Sequence, residues 1–561
     1  VNSPTPALVT QRGARRLPRL ALLLFCAAYV LPGVFDRDPW RSADLTAFGQ
    51  MAAIASGRSS WWAPTLGGVP GDTALLPHWL GAAFVALLSP AVDADLAARL
   101  PFALLLALTL ALVWYTTFHL ARTAAAQPVA FAFGGEADPV DYARAIADGA
   151  LLALIATLGL AQLGHETTPE LAQLFGVSLY LWAMASAPFR LWLPRGAVLL
   201  ALLLLAGSGA PAMGLFIGVG GIVVALRSRY AQVRRFVPWV VAGMLAAAAL
   251  GTAIGAWRVR AVAMGPGDLV VLARQWAWFL WPAWLLVLWT LWRWRHHLLD
   301  RHLAVPLVTV VVAMAANIAM NGSDRALMLA LPGMAVLAAF ALPTLKRSTS
   351  AAIDWFSIFF FTLCAITIWV IYVSMQTGVP ARPAANVARL APGFVVAFEP
   401  LELVLGLAGT LAWLWLVRWR TGRHREAVWK SMVLPAGGVA LCWLLLMTLW
   451  LPLLDYARSP RPLVERIAVH IPPHACIAGP TLSPAMVASL EVFGPYAVDA
   501  RPGAALAGCE FMARVVRAKA PPPAPPGWNA LAIVQGPRDR EEGTALYRRQ
   551  AVTAGAVAPA R

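Results

Sequence analysis

The chain has 561 residues, of which 60% are hydrophobic and only 13% charged, and its formal net charge is +17. A soluble domain carries about 25% charged residues, so this composition excludes a water-soluble enzyme and places the chain in a bilayer. Its positive charge does not mark a nucleic-acid partner: the arginines stand in short clusters between apolar runs, as topology signals and anchors to anionic lipid, and no basic, aromatic-bearing soluble module accompanies them.

A run at 17–35 opens the apolar part. Arg12, Arg15, Arg16 and Arg19 before it resemble the start of a signal peptide, but no small-x-small cleavage site follows, and the run reads as a first transmembrane helix. Loop 36–97 comes next and is unusually long and acidic for a polytopic protein. Asp36 and Asp38 alternate with Arg37 and Arg41, a pattern that reads as a solvated interfacial charge cluster. From 43 to 57, Leu45, Phe48, Ala52 and Ala55 form a narrow apolar stripe, which predicts a helix lying on the membrane. Ser42 is its expected N-cap, Asp44 falls in its first turn and Gly57 ends it. Trp61 and Trp62 then read as interfacial anchors, Gly67, Gly68, Pro70 and Gly71 as a turn-rich link, and 77–92 as a second helix on the outer face.

Further spans are expected at 98–121, 146–164, 171–187, 193–208, 210–226, 236–256, 275–293, 303–321, 325–343, 354–375, 400–418 and 430–452, about thirteen in all at roughly 20 residues each. With 77–92 outside the bilayer, the inside loops carry roughly twice the Lys and Arg of the outside loops, including Arg227, Arg229, Arg234, Arg235, Arg418, Arg420, Arg423 and Arg425. This places the N-terminus in the cytoplasm and the C-terminus, after Arg561, outside. The second outer loop, GHETTPEL at 164–171, sets His165, Glu166 and Glu170 at bilayer-edge depth, where ionisable groups suggest function. Glu170 also suits the first turn of a helix opened by Pro169. If both loops face one cavity, Asp44 and Glu170 meet there to orient an acceptor or to hold a divalent cation.

Residues 453–561 read differently. PRPLVERIAVHI and SPAMVASLEVFG suggest helices, ACIAG and ALAIVQG suggest strands, and KAPPPAPPGW is a stiff connector; together they predict a small α/β domain on the outer face. The expected division is therefore 1–452 and 453–561. Cys26, Cys364 and Cys442 fall in spans. Cys476 and Cys509 both fall in the outer domain, as a disulfide candidate or as two buried thiols.

The order of these parts resembles the GT-C membrane glycosyltransferases, in particular the lipid A aminoarabinose transferases and protein O-mannosyltransferases. The matching stretches are Asp44 in SADLTAFG, Ser56-Gly57, Trp61/Trp62-Ala63-Pro64 through Gly68, Ala98-Arg99-Leu100-Pro101 and DRALMLALPGMAVLAAFAL at 324–342. The resemblance implies an all-α polytopic fold in a bacterial inner membrane. It also implies inverting transfer of a sugar from a polyprenyl-phosphate carrier to a lipid A-like glycolipid or another envelope acceptor. By it, Asp44 takes the acidic position of the first loop, with Glu170 or Glu166 as the second carboxylate. Arg58, Arg99 and Arg325 become candidates for the carrier phosphate, and His165 lines the same loop. Arg325 reads equally as an interfacial anchor. The family's Lys-Pro-Pro before the juxtamembrane helix is replaced here by Gly71-Asp72-Thr73-Ala74-Leu75-Leu76-Pro77, with His78 as a partial substitute. A polytopic transporter and a noncatalytic membrane scaffold are the alternatives.

Overall fold

A computed structural model describes residues 5–40, 42–257, 262, 265, 267–422, 427–503, 508–519, 522–537, 539 and 541–550. Arg41, Arg423, Arg425 and Arg561 lie outside the described residues. Each expected span coincides with helix, but fewer of these helices are long enough to cross a bilayer. Among the described residues, seven helices are long and apolar enough: Ala94–Ala121, Ala231–Ala253, Arg301–Ala319, Asp324–Thr344, Arg347–Thr377, Pro400–Thr421 and Val428–Leu446. An eighth span results if the pair Asp268–Phe279 and Ala283–Arg293, bent by 94°, is counted as one.

The other five of the thirteen expected spans coincide with helices outside this set, among them Pro169–Ser186 with 18 residues. The helices Arg19–Val30, Leu193–Gly207 and Pro211–Leu226 have 12, 15 and 16 residues, against about 20 needed to cross the hydrocarbon core. The segment at 146–164 breaks at Thr157 into Pro139–Ala156 and Leu158–Leu163. Its first part carries Asp141, Arg144 and Asp148. Asp148 is tolerated because it is fully engaged: its carboxylate accepts from Leu17 N at 2.8 Å and from Trp114 Nε1 at 2.8 Å. Span Asp324–Thr344 runs through the centre of the bundle, 94% buried, whereas Pro400–Thr421 is only 11% buried and turns Leu401, Leu411, Leu414 and Trp415 outward as a lipid-facing stave.

The C-terminal part forms a five-stranded sheet. A two-residue hairpin in the first loop supplies β1 (Thr65–Leu66) and β2 (Val69–Pro70). The sheet itself contains β3 (Cys476–Ala478), β4 (Ala497–Asp499), β5 (Phe511–Arg517), β6 (Trp528–Val534) and β7 (Glu542–Arg549), in the order β4-β3-β5-β7-β6. β3 pairs parallel with β4 and β5, and β7 pairs antiparallel with β5 and β6. Cys476 and Cys509 are joined as a disulfide with Cα atoms 4.9 Å apart.

The first-loop helix, Ala43–Ala55, does not lie on the membrane. It is buried nearly all round, including Asp44, Leu45, Phe48, Gln50, Met51 and Ile54. One side packs on the juxtamembrane helix Leu75–Leu88, where the backbone of Gly81 admits Met51. The other meets helix Pro484–Val492, and a Cβ on Gly49 would stand 2.7 Å from the Ala488 Cβ. Leu45 and Leu66 join Leu463, Ile467, Ile477 and Leu490 in the core of the C-terminal domain. The apolar stripe seen in the sequence is therefore covered by protein from the far end of the chain.

Candidate active site

The site is built where the first loop leaves the first helix. Gly33 and Asp36 take positive φ angles of 82° and 52°, turning the chain back on itself. Arg99, 3% exposed in helix Ala94–Ala121, holds this turn: it donates to Val34 O at 2.8 Å and to Arg37 O, and pairs with Asp95 at 3.2 Å. Arg37, which the sequence suggested was solvated, is 1% exposed. It donates to Gly33 O at 3.1 Å and to His165 O at 2.7 Å, and meets Asp44 Oδ2 at 3.3 Å. Ser42 occupies the N-cap position but makes no side-chain cap; its φ is 70°. A left-handed non-glycine residue costs on the order of 1–3 kcal/mol and is found where the surroundings enforce it. Here they enforce the placement of Asp44.

Asp44 joins the two loops. Its Oδ1 accepts from Thr167 N at 2.7 Å and from Thr167 Oγ1 at 2.9 Å; its Oδ2 accepts from Trp40 N at 3.3 Å and faces Arg37. At 2% exposure the carboxylate is fully engaged by protein donors. One residue before Thr167, Glu166 meets Arg325 Nη2 at 2.5 Å and accepts from Gln162 at 3.2 Å. Arg325 also faces Glu170 at 3.5 Å. Burial raises the Glu166 carboxyl above the usual range, the Asp44 charge adds to this, and Arg325 opposes it. Glu170 is the accessible carboxylate of the three, with a side chain 25% exposed, against 5% for Glu166 and 2% for Asp44. The geometry thus brings Asp44, Glu166, Glu170 and Arg325 into one network.

A third layer comes from the end of the chain. Arg37 and Arg458 stack on the Trp40 ring at 4.8 and 4.7 Å from its centroid. Trp40 Nε1 donates to Asp455 at 2.7 Å, and Asp38 N donates to the same carboxylate at 3.2 Å. Arg461 grips Asp38 through two bonds of 3.0 and 2.6 Å, and Arg458 reaches Gln162 at 2.8 Å. Burial and the neighbouring Asp38 lift the Asp455 carboxyl to about 7, against the donors and Arg37.

The other candidates are placed elsewhere or hold structure. His165 lies in the network with both ring nitrogens engaged, by Ala161 O at 2.6 Å and Tyr29 O at 2.9 Å, under the Trp443 ring. His78 is 1% exposed in the juxtamembrane helix, and its Nδ1 has no hydrogen-bond partner among the described residues. Arg58 pairs with Glu491 of the C-terminal domain at 2.8 Å, in a cleft of about 490 Å³ that also holds His474 and Tyr496. Among the described residues no hydrogen bond or ion pair ties His78 or Arg58 to Asp44. Nor does any group of three or more His, Cys, Asp or Glu among them stand ready for a metal ion. The sequence missed Arg37, Trp40, Gln162, Thr167, Asp455, Arg458 and Arg461. The only signal was the acid–base alternation at 36–38.

No family model matches the sequence, and no curated protein matches it. Solved structures do. ArnT from Cupriavidus metallidurans bound to undecaprenyl phosphate aligns over 94% of this chain and 96% of its own, with a TM-score of 0.55 and 13% identity. The same protein in its apo state aligns with the same coverage and TM-score at 14% identity. The chain has the ArnT fold. ArnT is a lipid A aminoarabinose transferase of the GT-C fold, the group that the motifs resemble. The ArnT fold here includes the C-terminal domain, since the match extends over nearly the whole of both chains.

Proposed function

We propose that the protein is a membrane glycosyltransferase that takes a sugar from a polyprenyl-phosphate carrier and passes it to a hydroxyl acceptor at the face formed by the first loop. The observation that carries this reading is the pairing of Arg325 with Glu166 and Glu170, beside Thr167, which holds Asp44 of the first loop, on a fold shared with a protein solved with undecaprenyl phosphate. In the transfer, the bond between the sugar's anomeric carbon and the phosphate oxygen breaks. A bond from that carbon to the acceptor oxygen forms on the opposite side. The acceptor proton goes to a carboxylate, and the carrier leaves as polyprenyl phosphate.

The geometry suggests separate roles. Glu170, partly exposed and held by one long contact, is the carboxylate with capacity left to meet an acceptor. Asp44 has a hydroxyl already in place: Thr167 Oγ1 at 2.9 Å occupies the position that an acceptor hydroxyl would take. Arg325 is the cation for the departing phosphate, and its long contact with Glu170 is the one to yield. Arg99, Arg37 and His165 are positioning residues, bound to backbone carbonyls. By charge bias the site faces the periplasm of a bacterial inner membrane, with a lipid A-like glycolipid or another envelope molecule as acceptor.

The test is purified protein in micelles with undecaprenyl phosphate-linked sugars and envelope lipids, with product identified by mass spectrometry. Release of undecaprenyl phosphate with a sugar-modified acceptor supports the reading, and its loss in Glu170→Gln supports the site. Vectorial uptake in vesicles without any transfer product would favour a transporter.

A further inference from the structure

Against the turn that leads into Arg325 lies a cavity of mixed polar and apolar lining, Val271 and Leu272 included, that no role above uses. It measures about 560 Å³ and sits between helix Asp268–Phe279 and the turn at 321–324. Asp268, Arg274, Gln275, Trp278, Asn321 and Asp324 supply its chemistry. A volume of this order is within the roughly 300–1,000 Å³ of small-molecule sites.

The lining is unusual for the edge of an apolar bundle. Five of the six side chains end in planar carboxylate, amide or guanidinium groups; Gln275 is taken up by Gly322, Asp324 and Asn317, and Asp268 Oδ2 by Gly265 N, which leaves Arg274, Asn321 and the second oxygens of Asp268 and Asp324 to a ligand. Trp278 is 62% exposed and offers a flat face beside them. Arg274 forms no ion pair among the described residues, so its donors remain available. Adjacent hydroxyls on a ring match such groups, and the C–H face of the ring matches an indole. An interfacial anchor explains an exposed tryptophan alone, but not the five polar groups that share its cavity.

The rear wall is rigid. Asn317, fully buried, donates to Ser323 O at 2.9 Å and to Gln275 Oε1 at 3.3 Å, and accepts from Trp276 Nε1 at 2.8 Å. Gln275 in turn donates to Gly322 O at 2.6 Å and to Asp324 Oδ1 at 2.5 Å. The same turn, with Ser323 Oγ accepting from Ala326 N at 3.4 Å, delivers Arg325 to Glu166 and Glu170. One hydrogen-bonded frame therefore fixes both the cavity wall and the cation.

We infer that this cavity is the subsite for the carrier's sugar ring, holding a monosaccharide by its hydroxyls while Arg325 holds the adjoining phosphate. The inference rests on the carrier-dependent reading above and adds where the sugar sits and which residues select it. Asp268, Arg274 and Trp278 bind the ring; Asn317 and Gln275 act as positioning residues.

The test measures binding, not turnover. Full-length protein is titrated with bare undecaprenyl phosphate and with undecaprenyl phosphate carrying arabinose, glucose or mannose. Wild type is expected to prefer at least one sugar-bearing carrier over the bare one by about tenfold, about 1.4 kcal/mol. Arg274→Ala and Trp278→Ala should bring that ratio close to one while leaving bare-carrier affinity unchanged. Trp278→Phe, which keeps a flat ring, should retain most of the preference and guards against misfolding as the cause. The inference is overturned if the variants keep the wild-type ratio, or if wild type prefers none of the three sugars over the bare carrier. If no carrier binds, bare or loaded, the carrier-dependent reading falls as well, so the two failures are distinct.

Discussion

Thr167→Val tests the centre of the site, because it removes one of the donors that fill Asp44. The hydroxyl stands 2.9 Å from Oδ1, the backbone N–H at 2.7 Å remains, and the residue is 3% exposed, so water cannot take its place. A hydrogen bond to a charged group contributes about 1.5–3 kcal/mol, and one to a neutral group about 0.5–1.5. Asp44→Asn strands Arg37, whose side chain is fully buried; breaking one partner of a buried pair costs about 3–5 kcal/mol, and bonds to Gly33 O and His165 O hold the loss near the lower end. Once Asp44 is neutral, the Thr167 hydroxyl contributes only as an ordinary donor, so the two substitutions should couple by about 1–1.5 kcal/mol. The assay is a double-mutant cycle on reversible unfolding in mixed micelles, with transfer measured in parallel. Transfer sharpens the test: the acceptor meets Glu170 and not the buried Asp44, so Thr167→Val should destabilise the fold and leave the acceptor KM close to the wild-type value. Additivity within about 0.5 kcal/mol would refute the hydrogen-bond reading, and a large change in KM would show that the acceptor reaches Asp44.

Glu170→Gln should lose transfer by about 10²–10⁴-fold, the scale of a general acid–base group. It should change stability by less than about 1 kcal/mol, because its side chain is partly exposed and Arg325 keeps Glu166; a large shift in unfolding with normal transfer would assign it to structure. Asp455 titrates near 7 in the folded protein instead of its usual 3.8. The folded state then binds the extra proton between these values, so this group's destabilising effect is absent below about 4, grows as pH rises, and is complete above 7, reaching at most about 4 kcal/mol. Asp455→Asn should flatten that slope in unfolding measured from pH 5 to 8; an unchanged slope would place the titration elsewhere. Removing the Cys476–Cys509 bond, which spans 33 residues, should destabilise the C-terminal domain by about 4 kcal/mol in the chain-entropy estimate. Alkylation with and without reductant should differ in mass by two thiols, and equal labelling would show free cysteines.

Much of the helical bundle was legible because apolar length is a local property. Whether an apolar helix faces lipid or protein is not local. Arg19–Val30 and Pro211–Leu226 look like spans to composition and form helices of 12 and 16 residues. Asp44, Glu166 and Glu170 stood out as acids at helix ends. Arg37 did not: an arginine between two aspartates looks solvated until the carbonyls of Gly33 and His165 converge on it. The stripe Leu45–Phe48 was visible, but a membrane and a domain over 400 residues later cover such a stripe equally well, and only the fold chooses. Thr167 carried no signal at all, since any small polar residue before a helix looks like a cap.

Trp40 is clasped by groups that lie far downstream, and its bond to Asp455 spans 415 positions. During synthesis the first loop emerges early and must wait for nearly the whole polypeptide before this indole finds its partner. A product truncated ahead of Asp455 would lack the carboxylate that holds the Trp40 indole and the Asp38 backbone N–H. Support for the Asp38–Trp40 stretch is thus timed to the last part of the chain, so the first loop and the C-terminal domain reach their final form together.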